Sequence, residues 1–150
     1  MAETISACPL TRGERILIAL DGSVQSTKAL DQALSLSKAC KSKMILMSVV
    51  DLSPEAKEKA PELVERMSAE VRAILEQGTE KAEKEGIECE TIMHIGQKIH
   101  EFIVAEAREK NVDLIAMGTH GRTGLKGLFI GSVAQRVIGH APCAVLVTPL

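Results

Sequence analysis

The order of apolar runs and helix-period stretches predicts an α/β fold, a three-layer sandwich around a five-stranded parallel sheet. Three observations carry this prediction. Five short apolar runs, beginning at Arg15, Met44, Ile87, Leu114 and Cys143, alternate with stretches whose apolar residues recur at helical spacing. Most of these runs lack polar alternation, as strands covered on both faces do. Regular strand–helix alternation builds right-handed βαβ units, and these make parallel sheets.

Residues 1–13 read as a flexible tail ending at Gly13, and 14–150 as a single domain. The first strand, Arg15 to Leu20, stops at Asp21-Gly22-Ser23, a turn that starts a helix. Ala29, Ala33, Leu36 and Cys40, flanked by Leu30 and Leu34, form an alanine-rich helical face suited to close packing on a sheet. Met44 to Val50 is a second buried strand, and Ser53-Pro54 then opens a charged connection containing Pro61. Leu63, Met67, Val71, Ile74/Leu75, Gly78 and Ala82 trace a long helix, which Gly86 ends as a left-handed cap. Ile87, Cys89, Thr91 and Met93 alternate with Glu88, Glu90 and Ile92, a third strand with a more exposed face, read as an edge. After Gly96, a helix carrying Ile99, Phe102, Ile103, Glu106 and Ala107 closes at Lys110-Asn111. Leu114 to Met117 is the fourth strand. A helix beginning at Ser132, with Ser132 as its N-cap, is broken by Ala141-Pro142, and Cys143 to Val147 is the fifth strand.

Composition narrows the function classes. The net charge is −2, which leaves no basic footprint for nucleic acid or an anionic membrane. The chain has no Trp or Tyr and two Phe, Phe102 and Phe129, so it lacks a stacking platform for single-stranded bases. No apolar run spans a bilayer, and the stretch from Met1 to Leu10 has Glu3 and no basic region of a signal peptide, so a cytoplasmic location is expected. Cys8, Cys40, Cys89 and Cys143 are scattered without a CxxC pair and are expected as reduced thiols. Neither they nor the four histidines have metal-ligand spacing. The acidic residues of 55–65 and 76–90 read as solvated helix faces.

The stretch from Gly118 to Ser132 carries the chemistry. Gly118, Gly121, Gly124, Gly127 and Gly131 fall between the fourth strand and the last helix, with Arg122 and Lys126 among them. Glycines let the backbone approach a ligand, and the free N–H groups and positive dipole end of the following helix make an anion site. The pattern is not a Walker A motif, since no Lys precedes Ser132, and it is not the dinucleotide fingerprint, whose glycines follow the first strand. His94-Ile95-Gly96 matches the first three letters of a His-Ile-Gly-His nucleotidyl-transfer motif. Gln97 stands in the fourth place and the segment follows the third strand, so it reads as a decoy.

The spacing of Gly118 and Gly121, then nine residues, then Gly131-Ser132, resembles the phosphate-binding signature of the universal stress protein family in its ATP-binding branch. Arg15 to Ser23, Asp113 to Gly118 and Ala141 to Val147 resemble that family's opening strand and last two strands. The resemblance implies the adenine nucleotide alpha hydrolase-like, Rossmann-like fold with strand order 3-2-1-4-5. It also implies a site built from Ala19, Asp21, Val49, Gly118, Thr119, His120, Gly121, Arg122, Thr123, Gly124, Gly131, Ser132, Val133 and Ala134. Ala19 and Val49 would offer main-chain atoms to the adenine side, although Ser48 replaces a histidine frequent in the family. Asp21 would lie by the adenosine, or simply cap the first helix; His120 would line the site, or be an exposed loop residue.

The expected ligand is ATP, or ADP or AMP, with Mg2+ as a possible companion. The expected role is a stress-response sensor or adaptor whose state follows the bound nucleotide by a population shift ordering 119–130. A homodimer through the fifth strand, Cys143–Val147, would cover an apolar edge. Two alternatives stand beside this: a slow ATPase or nucleotidyl-transfer enzyme, for which no general base is evident, and a nucleotide-free interaction module.

Overall fold

The computed structural model describes residues 7–120 and 130–150. The strands are β1 (Arg15–Ala19), β2 (Lys43–Val50), β3 (Cys89–Ile95), β4 (Leu114–Gly118) and β5 (Ala144–Thr148). The helices are α1 (Val24–Cys40), α2 (Pro54–Lys59), α3 (Pro61–Lys84), α4 (Ile99–Glu109) and α5 (Ser132–His140). The strands form one sheet in the order β3-β2-β1-β4-β5, every neighbouring pair parallel. The five-stranded parallel sheet is the architecture read from the alternation of runs, and its strand order is the one the family resemblance implies.

Strand β1 is central because it can be buried on both faces. Successive side chains of a strand point to opposite faces, and Ile16, Leu17 and Ile18 are all fully buried. Ile16 and Ile18 enter a cluster with Leu30, Ala33 and Leu34 of α1 and Val71, Leu75 and Ala82 of α3. Leu17 enters the opposite cluster, with Ile103 and Ala107 of α4 and Ala134 and Val137 of α5. The two helix layers are therefore α1 with α3 and α4 with α5. Burying each of these branched side chains contributes about 1.5–3 kcal/mol relative to exposure.

The helix ends follow local chemistry. Ser23 and Ser53 cap α1 and α2, accepting from the N–H groups of Ser26 and Ala56. Helix α2 was not expected in the charged connection; Ser53 as cap with Pro54 in the first turn is the signal that marks it. At the end of α3, Gly86 has φ +70°, its N–H donates to Glu83 and that of Ile87 to Ala82. That double closure satisfies two terminal carbonyls and needs a residue at ease with positive φ. Lys41 and Asn111 take the same left-handed turn after α1 and α4.

The cysteine expectation needs correction. Cys8 and Cys40, 32 residues apart, are joined in a disulfide. Pairing depends on proximity in the fold, which spacing alone does not reveal. Cys89 and Cys143 are free and half-buried. Burial pushes both thiols up, Glu83 and Glu90 adding to this at Cys89 and Asp113 at Cys143. Both therefore stay protonated at neutral pH. No helix among the described residues is long and apolar enough to cross a membrane.

Two helical glycines have opposite surroundings and test the packing account. A Cβ on Gly78 of α3 would come 2.8 Å from Leu46 Cδ1 and 3.1 Å from Leu20 Cδ1, whereas one on Gly139 of α5 would meet nothing within 4 Å. Gly139→Ala is expected to stabilise by about 0.5–1 kcal/mol through helix propensity. Gly78→Ala is expected to destabilise by about 1 kcal/mol or more, because overpacking exceeds that gain. Urea denaturation of both variants checks the opposite signs.

Candidate functional site

In open α/β sheets a ligand crevice forms beyond the carboxyl ends of the strands where the strand order reverses. Here the chain runs outward from β1 through β2 to β3, then returns to place β4 on the other side of β1. The reversal lies between β1 and β4, and α1 and α5 are the helices next in the chain after these two strands.

The β1–α1 turn is held by its own side chains. Leu20 donates its N–H to the Met47 carbonyl at 2.8 Å. Asp21 Oδ1 accepts from the Ser23 N–H at 2.9 Å, and Gly22 between them has φ +82°. Ser23 Oγ then accepts from the Ser26 N–H at 3.1 Å. The cap of α1 is thus Ser23, and the Asp21 carboxylate shapes the turn before it. No hydrogen bond among the described residues engages Asp21 Oδ2.

Strand β4 ends against this turn. Gly118 is buried, and a Cβ there would lie 2.6 Å from Gln25 Cβ, 3.0 Å from the Gln25 carbonyl carbon and 3.1 Å from the Ser26 nitrogen. The expected reason for glycine at this position was ligand approach. The structure adds another: the first turn of α1 occupies the space a side chain would take. Beyond it, Thr119 donates to the Thr148 carbonyl at 3.0 Å, and its own carbonyl accepts from the Gly131 N–H at 2.7 Å. His120 is half-buried, with Nδ1 3.2 Å from Thr119 Oγ1. The start of α5 is thereby tied to the end of β4.

The N-cap of α5 is Gly131, with φ −63° and ψ 160°, and no side chain hydrogen-bonds to cap it. This corrects Ser132 as N-cap: Ser132 is the first residue of the helix. The consequence is electrostatic. Ser23 serves the N-terminus of α1, while α5 begins without any side-chain acceptor among the described residues, which leave its positive end uncompensated. Val133 and Ala134 complete that first turn, and Ala134 is buried against the sheet.

Ala19 closes β1, while β2 continues past it: the last β1–β2 pair is Ala19 with Met47, and Val49 pairs with His94 of β3. Ala19, Asp21, Val49, Gly118, Thr119, His120, Gly131, Ser132, Val133 and Ala134 therefore all belong to the carboxyl end of the sheet or the helix starts beside it. Gly121, Arg122, Thr123 and Gly124 lie outside the described residues, as does Lys126. Two residues not singled out from sequence border the same region: Val24, 60% exposed at the start of α1, and Ile130, 40% exposed just before Gly131. Their exposure is the signal, and periodicity does not reveal it.

His94 is occupied elsewhere. Its ring stacks on Phe102 with centroids 4.5 Å apart, and Nε2 lies 2.9 Å from Glu106 Oε1. That geometry ties β3 to α4.

The contact at Gly118 gives a stability test. Gly118→Ala is expected to cost about 1–3 kcal/mol, since the first turn of α1 is backbone and cannot move as a side-chain tip can. Chemical denaturation that shows no loss would remove the close approach from the account.

Residues 13–149 match the universal stress protein family. The chain is 33% identical over 144 residues to universal stress protein YxiE of Bacillus subtilis, covering 89% of this chain and 97% of that one. It is 38% identical over 138 residues to universal stress protein MJ0531 of Methanocaldococcus jannaschii, covering 89% and 81%. The solved structure of MJ0577, from the same archaeon, superposes with a TM-score of 0.83 at 30% identity, covering 93% of this chain and 97% of that one. Two more distant structures share the fold: a universal stress protein in complex with cAMP (TM-score 0.69, 24% identity, 93% and 98% covered) and an Arabidopsis thaliana family protein with AMP bound (0.67, 21%, 91% and 91%). The match over nearly the whole chain, with this sheet order, makes the protein a member of the universal stress protein family.

Proposed function

We propose that the protein binds an adenine nucleotide, ATP in the first place and otherwise ADP or AMP, in the crevice between β1 and β4. The single observation that carries this reading is the start of α5. Gly131 is the cap, no side chain among the described residues satisfies the first turn, and a hydrogen bond from the Gly131 N–H to the Thr119 carbonyl holds the helix at the strand end. Phosphates would accept from the N–H groups of that turn and from the Ser132 hydroxyl. In this reading Gly121, Arg122, Thr123 and Gly124 complete the phosphate cradle. Ala19, Asp21, Val49 and His120 flank the nucleoside, and Val24 and Ile130 give the crevice apolar rims. Mg2+ would arrive with the phosphates, and Asp21 is the carboxylate best placed to meet it. The cAMP and AMP held by proteins of the same fold support an adenine ligand.

The role proposed is that of a cytoplasmic stress-response sensor or adaptor, with the slow enzyme kept as the alternative, because among the described residues of the crevice no side chain is arranged as a general base. A homodimer would present the nucleotide state to partners. Strand β5 supports this assembly: it is an edge of the sheet, and Val145, Leu146 and Val147 are only half-buried. Pairing two copies there would satisfy the edge in an isologous interface.

Thermal denaturation with added nucleotide tests the binding. ATP at 100 times its dissociation constant should stabilise by about 2.7 kcal/mol. Because Ser132 is the first residue of the helix and not its cap, Ser132→Ala should leave the apo melting temperature nearly unchanged while shrinking the ATP-induced rise. No rise at millimolar ATP, ADP or AMP would return the chain to the nucleotide-free alternative. Release of ADP near the ordinary enzyme turnover of roughly 10 per second would promote the ATPase alternative. Light scattering should give a dimer at micromolar concentration, and a monomeric mass would overturn the assembly.

A further inference from the structure

The disulfide lies at the other end of the sheet. Cys40 is the last residue of α1, and Cys8 belongs to the stretch that leads into β1. Residues 7–14 contain no helix or strand, so their attachments are few. Leu10 packs against the larger core cluster, the Gly13 carbonyl accepts from the Ser42 hydroxyl, and the Glu14 N–H donates to Asp113 Oδ2 at 2.9 Å. The last two act at the mouth of β1, which leaves residues 7–12, among the described residues, dependent on the disulfide and on Leu10. The sulfurs rest on Gly13, where a Cβ would lie 2.8 Å from Cys8 Sγ and 3.0 Å from Cys40 Sγ. Both cysteines are half-buried, within reach of a small thiol. Arg12, on the same stretch, lines a cleft of about 390 Å³ with Arg15 and Arg108 at the amino ends of β1 and β4.

We propose that the Cys8–Cys40 bond is a reversible redox clasp that seats residues 7–12, with Leu10 and Arg12, on the amino end of the sheet. A low-molecular-weight thiol such as glutathione attacks one sulfur, forming a mixed disulfide, and a second thiol releases it. The Sγ–Sγ bond breaks, two electrons and two protons pass to the cysteines, and the reductant leaves as its own disulfide. Oxidised glutathione runs the exchange backwards. Reduction leaves the fold standing, because both core clusters are built from elements that follow Gly13, with Leu10 only an accessory. It withdraws Leu10 from the core and Arg12 from the cleft, which changes the surface a partner meets. In a reducing compartment a disulfide acts as a transient, redox-sensing bond, and that is the behaviour proposed. The clasp stands independently of the nucleotide reading.

The test uses the native full-length chain. After incubation with oxidised glutathione, denaturing alkylation and peptide mass mapping should find Cys8 linked to Cys40, with Cys89 and Cys143 alkylated. The native protein is then equilibrated in glutathione buffers from oxidising to reducing and pulsed with trypsin. Cleavage after Arg12 should be at least about tenfold faster in the reduced protein. Cys8→Ser and Cys40→Ser should cleave at the reduced rate in every buffer. Gly13→Ala, which pushes on both sulfurs, should become reduced in a less reducing buffer than wild type. The ATP-induced melting shift should be the same in both redox states, so its loss would count against the nucleotide site and not the clasp. Fully alkylated Cys8 and Cys40 after oxidation, a bond that yields to thiol only once the protein unfolds, or equal cleavage in the two states would each overturn the proposal.

Discussion

The architecture of the site depends on one close approach: the end of β4 against the first turn of α1. Gly118 stands where any side chain would run into Gln25 and the backbone at Ser26. That contact fixes α1 beside the strand pair at which the sheet order reverses. It also sets the division of labour between two neighbouring helix starts. The start of α1 is closed by its own Ser23, whose acceptance from Ser26 removes one free donor. The start of α5 is closed by a glycine that supplies no acceptor. Among the described residues one helix start is therefore satisfied by a side chain and the other is not, and the proposed nucleotide site rests on the field and N–H groups of α5.

The sheet separates two kinds of chemistry. At its carboxyl end, among the described residues, no side chain accepts from the first turn of α5, one carboxylate oxygen of Asp21 is free of hydrogen bonds, and Val24 and Ile130 are exposed. At its amino end the polar groups largely satisfy each other. Asp113 accepts from the N–H groups of Glu14 and Arg15, Arg108 donates to the His140 carbonyl, and a covalent bond joins Cys8 to Cys40. Between the two ends lie fully buried residues of β1 and β4, Ile16, Leu17, Ile18, Ile115 and Ala116. Such a core is close-packed and stiff.

Strand positions were legible because strands buried on both faces have to be apolar at consecutive positions, as Ile16 to Ile18 and Leu114 to Met117 are. The same logic drew the ends of α3 and α4 correctly, since Gly86 and Asn111 adopt the positive φ that closes a helix. Boundaries set by single hydrogen bonds were less legible. Ser132 has the chemistry of a cap, yet the chain places Gly131 in that position because Gly131 is the residue bonded to Thr119. The fifth strand begins at Ala144, one residue after the apolar run does. The disulfide was not legible at all: Cys8 and Cys40 meet only because β1 and α1 pack with their amino and carboxyl ends together. Of the candidate site, the glycine spacing marked Gly118 and Gly131-Ser132 and the family resemblance named Ala19, Asp21 and Val49; the fold puts all of them at the carboxyl end of the sheet or the helix start beside it. The exposure of Val24 and Ile130 was not legible, because it depends on neighbours distant in sequence.

The most direct measurement is the change in backbone amide shifts of 15N-labelled protein during an ATP titration, with residues assigned. The account places the phosphates on α5, so the largest changes should fall on Ser132, Val133 and Ala134, with smaller ones at Asp21, Gly118 and Thr119. Amides near Arg12, Arg108 and Asn111 at the opposite end should hold still. Shifts concentrated around that amino-end cleft, or none up to millimolar ATP, would contradict the claim that the uncapped start of α5 is a nucleotide site.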